Sequence, residues 1–301
     1  MAAMTRPSVG QLIRQRREEA RRSQLDLALA VGVSARHLGF VELGRSRPSP
    51  GLLLAIAGDL EVPLRERNEW LLAAGYAPRY PENPLAGPVL ARIRNALRGL
   101  LDAHDPFPGV VVNRRWDVEL SNNAARRLVA EIPADVGGAP TNIFRVMLHP
   151  AGLAACTANF ASWSGCLLRQ LHLLSLSDHE AAALADEISA WPQIPPRLTW
   201  GRLAADEEPE PVTTWQVRIG GQDLSMYTIM SSFGTPADIT VSELSIELFF
   251  PADQATEDQL IRQAKRNRPV RAPVMTHDFL RGRRHPSTRL RSGTHAWPPH
   301  R

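Results

Sequence analysis

The sequence contains only two cysteines, Cys156 and Cys166, among its 301 residues. They are too few for a disulfide framework, and no further cysteine or pair of histidines stands at the spacing of a metal site. We therefore expect both thiols to be reduced and to lie in the core. The chain also lacks a run of about 18 apolar residues and the apolar start of a signal peptide. These absences favour a cytoplasmic protein without a membrane partner.

Catalytic motifs are missing as well. The chain has no Gly-x-Ser-x-Gly elbow, no His-Glu-x-x-His metal pair, no motif of paired carboxylates and no glycine-rich phosphate loop. Scattered polar residues such as His149 and Glu243 fit helix caps and turns better than a catalytic site. We expect no enzyme activity, cofactor or metal. A haem sensor with His149, His172 or Cys166 as the axial ligand remains an alternative.

Charge is distributed unevenly along the chain, whose net charge is +4. Residues 1–50 contain nine arginines and four acids, and residues 262–301 contain eleven lysines and arginines and one acid. The residues between them are therefore net negative. A basic beginning and a basic end favour a polyanionic partner, whereas the acidic middle favours a different task.

The first 75 residues carry signals for five short helices. Ser8, Ser23 and Ser34 each precede a stretch with apolar residues at helical spacing, and Gly32 and Gly44 follow the second and third helices. Four prolines in residues 77–88 predict an extended connector, which a helix near 89–103 follows.

The rest of the chain predicts an antiparallel sheet. Strands are expected at 109–112, 117–121, 213–219, 222–232 and 243–250, and helices at 123–130, 142–148, 154–176 and 178–191. Residues 192–211 are expected to be a loop, the tail to be disordered, and Asp238, Thr240 and Glu243 to stabilise the loop before the last strand. The fold class is α+β: an all-α head of five helices, then a body that consists of a PAS-like antiparallel sheet with helices over one face. The expected domains are 1–76, 77–103 (linker and helix), 104–266 and 267–301 (basic tail).

Residues 23–49 combine a capped helix, a glycine turn and a second capped helix, which is the arrangement that places a helix in the DNA major groove. The stretch resembles the helix-turn-helix of the phage-repressor-like XRE family. The resemblance implies that Gln24 binds a phosphate and that the start of the third helix reads bases. Arg36 has the chemistry to donate two hydrogen bonds to a guanine, and Glu42 is expected to pair with an arginine. The residues expected at the DNA are Gln24, Ser34, Ala35, Arg36, His37, Phe40, Arg45 and Arg47.

Residues 142–153 and 233–253, with Asn159 and Trp163, resemble the MmyB-like ligand-binding domain that follows an XRE head in many bacterial regulators. With the head, the resemblance covers about residues 9–265. It implies a one-component transcription regulator that binds operator DNA as a homodimer. It also implies an apolar pocket in the body for a small lipophilic ligand, such as a fatty-acyl molecule. A repressor whose body only dimerises is the main alternative.

The side chains expected to line this pocket are mostly apolar. A curved sheet under helices leaves space that side chains need not fill, although each candidate also fits an ordinary core. Arg145 could meet a carboxylate head group or pair with an acid at the surface. The candidates are Val112, Trp116, Val118, Phe144, Arg145, Leu148, Trp163, Leu167, Leu171, Tyr227, Ile229 and Phe233.

Overall fold

The computed structural model divides into consecutive segments of different architecture. We call residues 7–76 the head, residues 77–103 the connector and residues 104–266 the body. The tail expected at 267–301 lies outside the described residues, and so does the prediction made for it. The structure describes residues 7–133, 135–176, 178–202 and 212–266.

The head contains five helices, as the sequence predicts. Ser8, Ser23 and Ser34 cap the first three, because each hydroxyl oxygen accepts a hydrogen bond from the backbone N–H three residues later. The helices are α1 (Val9–Glu19), α2 (Gln24–Ala30), α3 (Ala35–Glu42), α4 (Pro50–Asp59) and α5 (Leu64–Ala73).

The helices of the head pack around one apolar core, and α1 crosses α3 at very short range. Leu38 and Trp70 are completely buried in this core. A Cβ atom on Gly10 of α1 would lie 2.3 Å from the carbonyl oxygen of Val41 and 2.6 Å from that of Glu42. Because no heavy atoms approach so closely without a clash, this crossing requires glycine.

A buried ion pair also joins α1 to α3. The Nε and Nη2 atoms of Arg17 donate to the two carboxylate oxygens of Glu42 at 2.7 and 3.0 Å. Arg17 is 8% exposed and Glu42 is 6% exposed. Each charge therefore compensates for the water contacts that the other lost on burial. The expectation that Glu42 pairs with an arginine is confirmed.

The connector is extended, as expected, and it is held along its length. Asn68 of α5 accepts the N–H of Tyr80 at 3.1 Å and donates to its carbonyl oxygen at 2.8 Å. Farther along, the Nδ2 of Asn83 donates to Asp238 of the body at 2.7 Å. Helix α6 (Ala91–His104) then leads into the body. The connector is thereby hydrogen-bonded to both of its neighbours.

The body is built on a five-stranded antiparallel sheet. Its strands are β1 (Gly109–Val112), β2 (Val118–Ser121), β3 (Trp215–Ile219), β4 (Gln222–Ser232) and β5 (Ser245–Pro251). The order across the sheet is β2-β1-β5-β4-β3. Gly220 and Gly221, with φ of 56° and 74°, form the tight turn expected between β3 and β4.

Four α-helices lie between β2 and β3 in the part of the chain that the structure describes, close to the predicted positions. They are α7 (Asn123–Leu128), α8 (Ile143–Leu148), α9 (Phe160–Ser175) and α10 (His179–Ser189). The helix expected at 154–176 is divided into a 3-10 turn, Leu153–Cys156, and α9. The loop expected at 192–211 contains a 3-10 helix, Arg197–Arg202, within its described part.

Two helices were not predicted, α11 (Ile239–Ser242) and α12 (Gln254–Arg266). Polar contacts contribute to holding α12: the hydroxyl oxygen of Thr256 accepts the N–H of Ser225 at 2.9 Å, and Leu260 is buried beside it. Such a mainly polar helix has few of the apolar residues on which a sequence prediction depends.

Alternation along the strands sends side chains to two different faces of the sheet. On one side Val112, Met226 and Phe249 pack with the helices α8–α10, and we call this side the helix face. On the other side Val111 and Ile246 pack with α6 and the connector, and we call it the connector face. The predicted α+β fold, with a helical head and an antiparallel sheet covered by helices, is confirmed.

The cysteines differ from the expectation that both lie in the core. Cys156 is half-buried, and burial raises the pKa of its thiol. Cys166 is exposed on α9, so the prediction is wrong for this residue. Position 166 lies on the outer side of α9, whereas its neighbours Leu167 and Leu168 are buried.

We expect Gly10→Ala to destabilise the protein by about 1–3 kcal/mol, because the added methyl group collides with backbone that has no room to move. The matched control is Gly58→Ala in α4, where no heavy atom lies within 4 Å of the added Cβ. Removing that helical glycine is expected to increase stability by up to about 1 kcal/mol. Urea unfolding of the three proteins measures both changes. Equal stability of the two variants would contradict the close crossing.

Candidate functional site

Helices α2 and α3 form a rigid unit at the edge of the head. Gly32 turns the chain between them with a φ of +71°, a left-handed conformation that favours glycine. Leu27 of α2 and Leu38 and Val41 of α3 are completely buried against the rest of the head. The burial of these side chains fixes the direction of α3 and leaves the opposite side of the helix exposed to solvent.

The outward side of α3 presents a cation. Arg36 is exposed, and its guanidinium carbon lies 5.4 Å from the ring centre of Phe40, one turn later. His37 and Phe40 are half-buried, and Phe40 is not part of the head core. Among the described residues neither Arg36 nor Arg45 takes part in an ion pair, so both are available to an external anion.

Gln24 lies where the start of α2 meets α3. Its Nε2 donates to the carboxylate of Glu42 at 2.7 Å. An amide nitrogen carries two hydrogens, so one remains for a phosphate. Ser34 accepts the N–H of His37 at 3.1 Å as the cap of α3, and Ala35 packs partly against the core. Ser34 and Ala35 therefore hold the start of α3 in place rather than project from the surface.

Arg47 differs from the other arginines that we assigned to DNA. Its Nη2 donates to the carbonyl oxygen of Gly75 at 3.0 Å, and its guanidinium carbon lies 4.1 Å from the ring centre of Tyr76. Both contacts fasten the end of α5, so Arg47 has a structural role whether or not it meets a phosphate.

Most of the pocket candidates in the body lie together on the helix face. Trp163 of α9 stacks on Trp215 with the ring centres 5.9 Å apart, and Trp116 packs on Phe144 at 5.4 Å. The indole N–H of Trp163 is buried and has no hydrogen-bond partner among the described residues. The candidates in this cluster are Val112, Trp116, Val118, Phe144, Leu148, Trp163, Leu167 and Leu171.

Three candidates lie elsewhere, so the expectation that they line the same pocket as the others is wrong for them. Tyr227 stacks on Phe250 and Ile229 pairs with Leu248, both on the connector face of the sheet. Ile229 is 47% exposed, and Phe233 packs with the cluster of the connector face. The two strand residues miss the cluster because they occupy odd positions of β4, whereas Leu224 and Met226 at even positions enter it.

Arg145 faces an acid of the protein itself. Its Nε and Nη2 donate to the carboxylate of Glu187 on α10 at 2.9 and 2.5 Å. This hydrogen bonding lowers the pKa of Glu187. Of the two roles considered for Arg145, the geometry favours the ion pair over the carboxylate of a ligand.

A groove with a volume of about 830 Å³ lies between the head and the body. Helices α1 and α5 form its head side. The turn between β1 and β2, the end of α9 and the helix face near Met230 and Ser245 form its body side. Trp116 in that turn has a φ of +66°, which is rare for a side chain of this size. The strained turn places Trp116 in the wall of the groove.

A buried carboxyl group lies next to the end of this groove. Glu247 of β5 is 6% exposed and stands between its cross-strand partners Val110 and Met230 on the helix face. Burial raises its pKa to about 7, although a hydrogen bond with Thr228 opposes the shift. No cation of the described residues pairs with it.

Arg65 of α5 connects the head to the body. Its Nε and Nη2 donate to Glu243 before β5 at 2.7 and 2.9 Å, and its Nη1 donates to Glu82 of the connector at 3.0 Å. We call this network the Arg65 bridge. Glu243 was expected to stabilise its own loop, and that expectation is corrected here. Asp238, by contrast, caps α11 and binds the connector.

The sequence analysis missed Arg65, Glu82 and Glu247 as functional candidates. A signal existed only for Glu247, which interrupts the apolar run from Leu244 to Phe250. The partners Arg65 and Glu243 are 178 positions apart, and no local pattern relates them. Among the described residues no group of three histidines, cysteines or acids could hold a metal, and no helix is long and apolar enough to cross a membrane.

Two family models match the chain. A model of the MmyB-like transcription regulator ligand binding domain matches residues 93–262, which is more than half of the chain. A helix-turn-helix model matches residues 13–67. A search of curated proteins found no match.

Two solved structures are similar to this chain at low identity. The PAS domain from Bordetella pertussis BvgS is 15% identical over 58% of this chain and 98% of its own, with a TM-score of 0.27. An RNA-binding Light-Oxygen-Voltage Receptor is 16% identical over 87% of this chain and 69% of its own, with a TM-score of 0.25.

We expect Glu247→Gln to remove a pH dependence of stability. At a pH well below 4.5 the carboxyl group is protonated in both the folded and the unfolded state, and burial carries no penalty of charge. As the pH rises from about 4.5 towards about 7, the unfolded state loses this proton while the folded state still holds it. The wild type therefore loses stability, by about 3 kcal/mol when the folded group is also ionised.

Urea unfolding of both proteins between pH 5 and pH 8 measures this effect. The stability of the variant relative to the wild type should increase from pH 5 to about pH 7 and then level off. A difference between them that stays constant over this range would contradict the buried, uncompensated carboxyl group.

Proposed function

The chain belongs to the family of MmyB-like transcription regulators, and we propose that a ligand in its body controls the affinity of its head for an operator. The family matches make it a DNA-binding transcription regulator with a ligand-binding domain. We further propose that it acts in the cytoplasm and binds a palindromic operator as a homodimer.

The observation that carries the proposal is the outward side of α3. The helix is fixed by its cap and by buried leucine and valine side chains, and it presents Arg36, which no acid of the described residues neutralises. An arginine in this position can donate two hydrogen bonds to the O6 and N7 atoms of guanine in the major groove. The exposed Arg45, just beyond α3, supports a phosphate contact beside the groove.

For the body we propose a small lipophilic ligand, of the fatty-acyl or a similar class. The apolar cluster on the helix face and the adjoining groove support this proposal. The effect of a bound ligand reaches the DNA-binding helices through the Arg65 bridge, because that bridge contacts the head, the connector and the segment before β5 beside the groove. A body that only dimerises would show no such coupling.

The direct experiment is the selection of bound DNA from a random pool with the full-length protein. We expect a palindrome with half-sites about 34 Å apart, which corresponds to one helical turn of DNA. Recovery of unrelated sequences would contradict sequence-specific recognition, and a single half-site would contradict the dimer.

We expect the two exposed arginines to affect binding differently. Arg36→Ala should weaken binding of the selected operator by about 1–3 kcal/mol and relax the preference at one base position. Arg45→Ala should weaken binding to selected and random DNA alike and reduce the slope of log K against log salt by about one unit. Titrations at several salt concentrations separate these effects. An identical loss on both DNAs for both variants would remove the assignment.

We expect Glu243→Gln to weaken the coupling between ligand and operator. The amide cannot form the charged pair with Arg65, so the strand beside the groove loses its firm attachment to α5. Allosteric couplings are typically about 1–3 kcal/mol, and the variant should lose most of this difference while both binding events persist. Operator affinity measured with and without extracted cellular lipids gives the coupling.

The matched control is Arg218→Gln, which breaks an exposed ion pair with Asp223 in the β3–β4 hairpin. It should leave the coupling unchanged. A response to lipid that is the same in the wild type and in Glu243→Gln would show that the bridge does not transmit it.

A further inference from the structure

The body wall of the groove is apolar where it joins the helix face. Trp116 lines this part, together with Met230, the cross-strand partner of Glu247. Ser245, two positions before Glu247 on the same face, lines the groove as well. The groove thus ends beside a carboxyl group that is more than nine-tenths buried.

The arginines of the groove are already neutralised. Arg65 pairs with Glu243, Arg114 with Asp178 at 2.8 Å, and Arg16 with an acid of its own helix at 3.4 Å. Arg115 pairs with Asp178 and Glu180. A negatively charged ligand would therefore find no unpaired cation among the described residues of the groove.

The acids of the groove are not all neutralised. Glu66 and Glu69 of α5 line its head side, and neither takes part in an ion pair among the described residues. Burial raises the pKa of Glu66, and the positive charge of Arg16 opposes this shift only in part. The groove therefore has unpaired carboxylates in its wall, at Glu66 and Glu69, and the buried Glu247 lies beside its end, behind Met230 and Ser245.

We propose that Glu247 is the polar anchor of the effector site and that the effector is a lipophilic amine, whose ammonium group pairs with this carboxylate. This assignment rests on the proposed function, because it specifies the ligand of the same body. The hydrocarbon part packs on Trp116 and Met230. An acyl chain fits the site when its head group is cationic, whereas a free fatty acid meets only carboxylates.

The pairing has a proton balance that can be measured. Near neutral pH a large share of Glu247 is protonated in the free protein, so binding of an alkylammonium ion displaces that proton to the solvent. The neighbours on the helix face, Val110, Thr228 and Met230, do not titrate. His172 of α9 faces the segment at Arg197–Arg202, and the charged residues of the groove wall are those named above.

The experiment compares octylamine, octanol and octanoate as probes of equal chain length on the full-length protein. Calorimetry below the micellar concentration gives the affinities and, in buffers of different ionisation heat, the protons released. We expect octylamine to bind at least about tenfold more tightly than octanol, since hydrogen bonds to charged groups contribute about 1.5–3 kcal/mol. Its affinity should increase from pH 6 to pH 8, and octanoate should bind more weakly than octanol.

The variant Glu247→Gln should lose the preference for the amine, the proton release and the pH dependence, while it still binds octanol. Asp258→Asn, an exposed acid of α12, is the control and should behave as the wild type. The stability of each variant is checked by urea unfolding, so a lost preference cannot be confused with lost folding.

Three results would overturn the assignment: octanoate binding as tightly as octylamine, an amine preference that persists in Glu247→Gln, or no binding of any probe. Operator binding by the same preparations separates this assignment from the proposed function. A protein that selects its operator but ignores the amine overturns only the assignment, whereas a protein that selects no operator overturns the proposed function.

Discussion

The guanidinium of Arg65 is a direct contact between the head, the connector and the body. It donates two hydrogen bonds to Glu243 and two to Glu82, so one side chain joins α5, the connector and the segment before β5. The position of α3 relative to the sheet follows from this contact, because α3 and α5 share one buried core. The groove exists for the same reason, since α5 forms one of its sides.

The two faces of the sheet have different partners: one packs with the helices of the body and the other with the connector. Side chains that alternate along β5 give Phe249 to the helix face and Ile246 to the connector face. Most of the ligand candidates therefore share one core, while the contacts to the connector share another. A change on one face reaches the other only through the strands, and β5, at the centre of the sheet, directly follows Glu243 of the Arg65 bridge.

The parts of the fold that follow from local chemistry could be predicted from the sequence. Serine caps and the turn at Gly32 define α2 and α3, and the Gly220-Gly221 pair defines the β3–β4 hairpin. The assignment of Tyr227 and Ile229 failed because the face of a long strand depends on its register with a neighbour. The pairing of Arg65 with Glu243 was beyond reach, because it depends on how distant segments pack. Helix α12 was missed because polar contacts such as that of Thr256 contribute to holding it.

The attachment of the connector limits how this protein can be rebuilt. Asn68 of the head binds its beginning and Asp238 of the body binds its middle, so little free chain is left between the two domains. A chimera that joins this head to the body of a relative would separate residues 77–90 from one of the two sets of partners that hold them. The head and the body have separate apolar cores, but the connector has partners in both, so the two would have to be exchanged together.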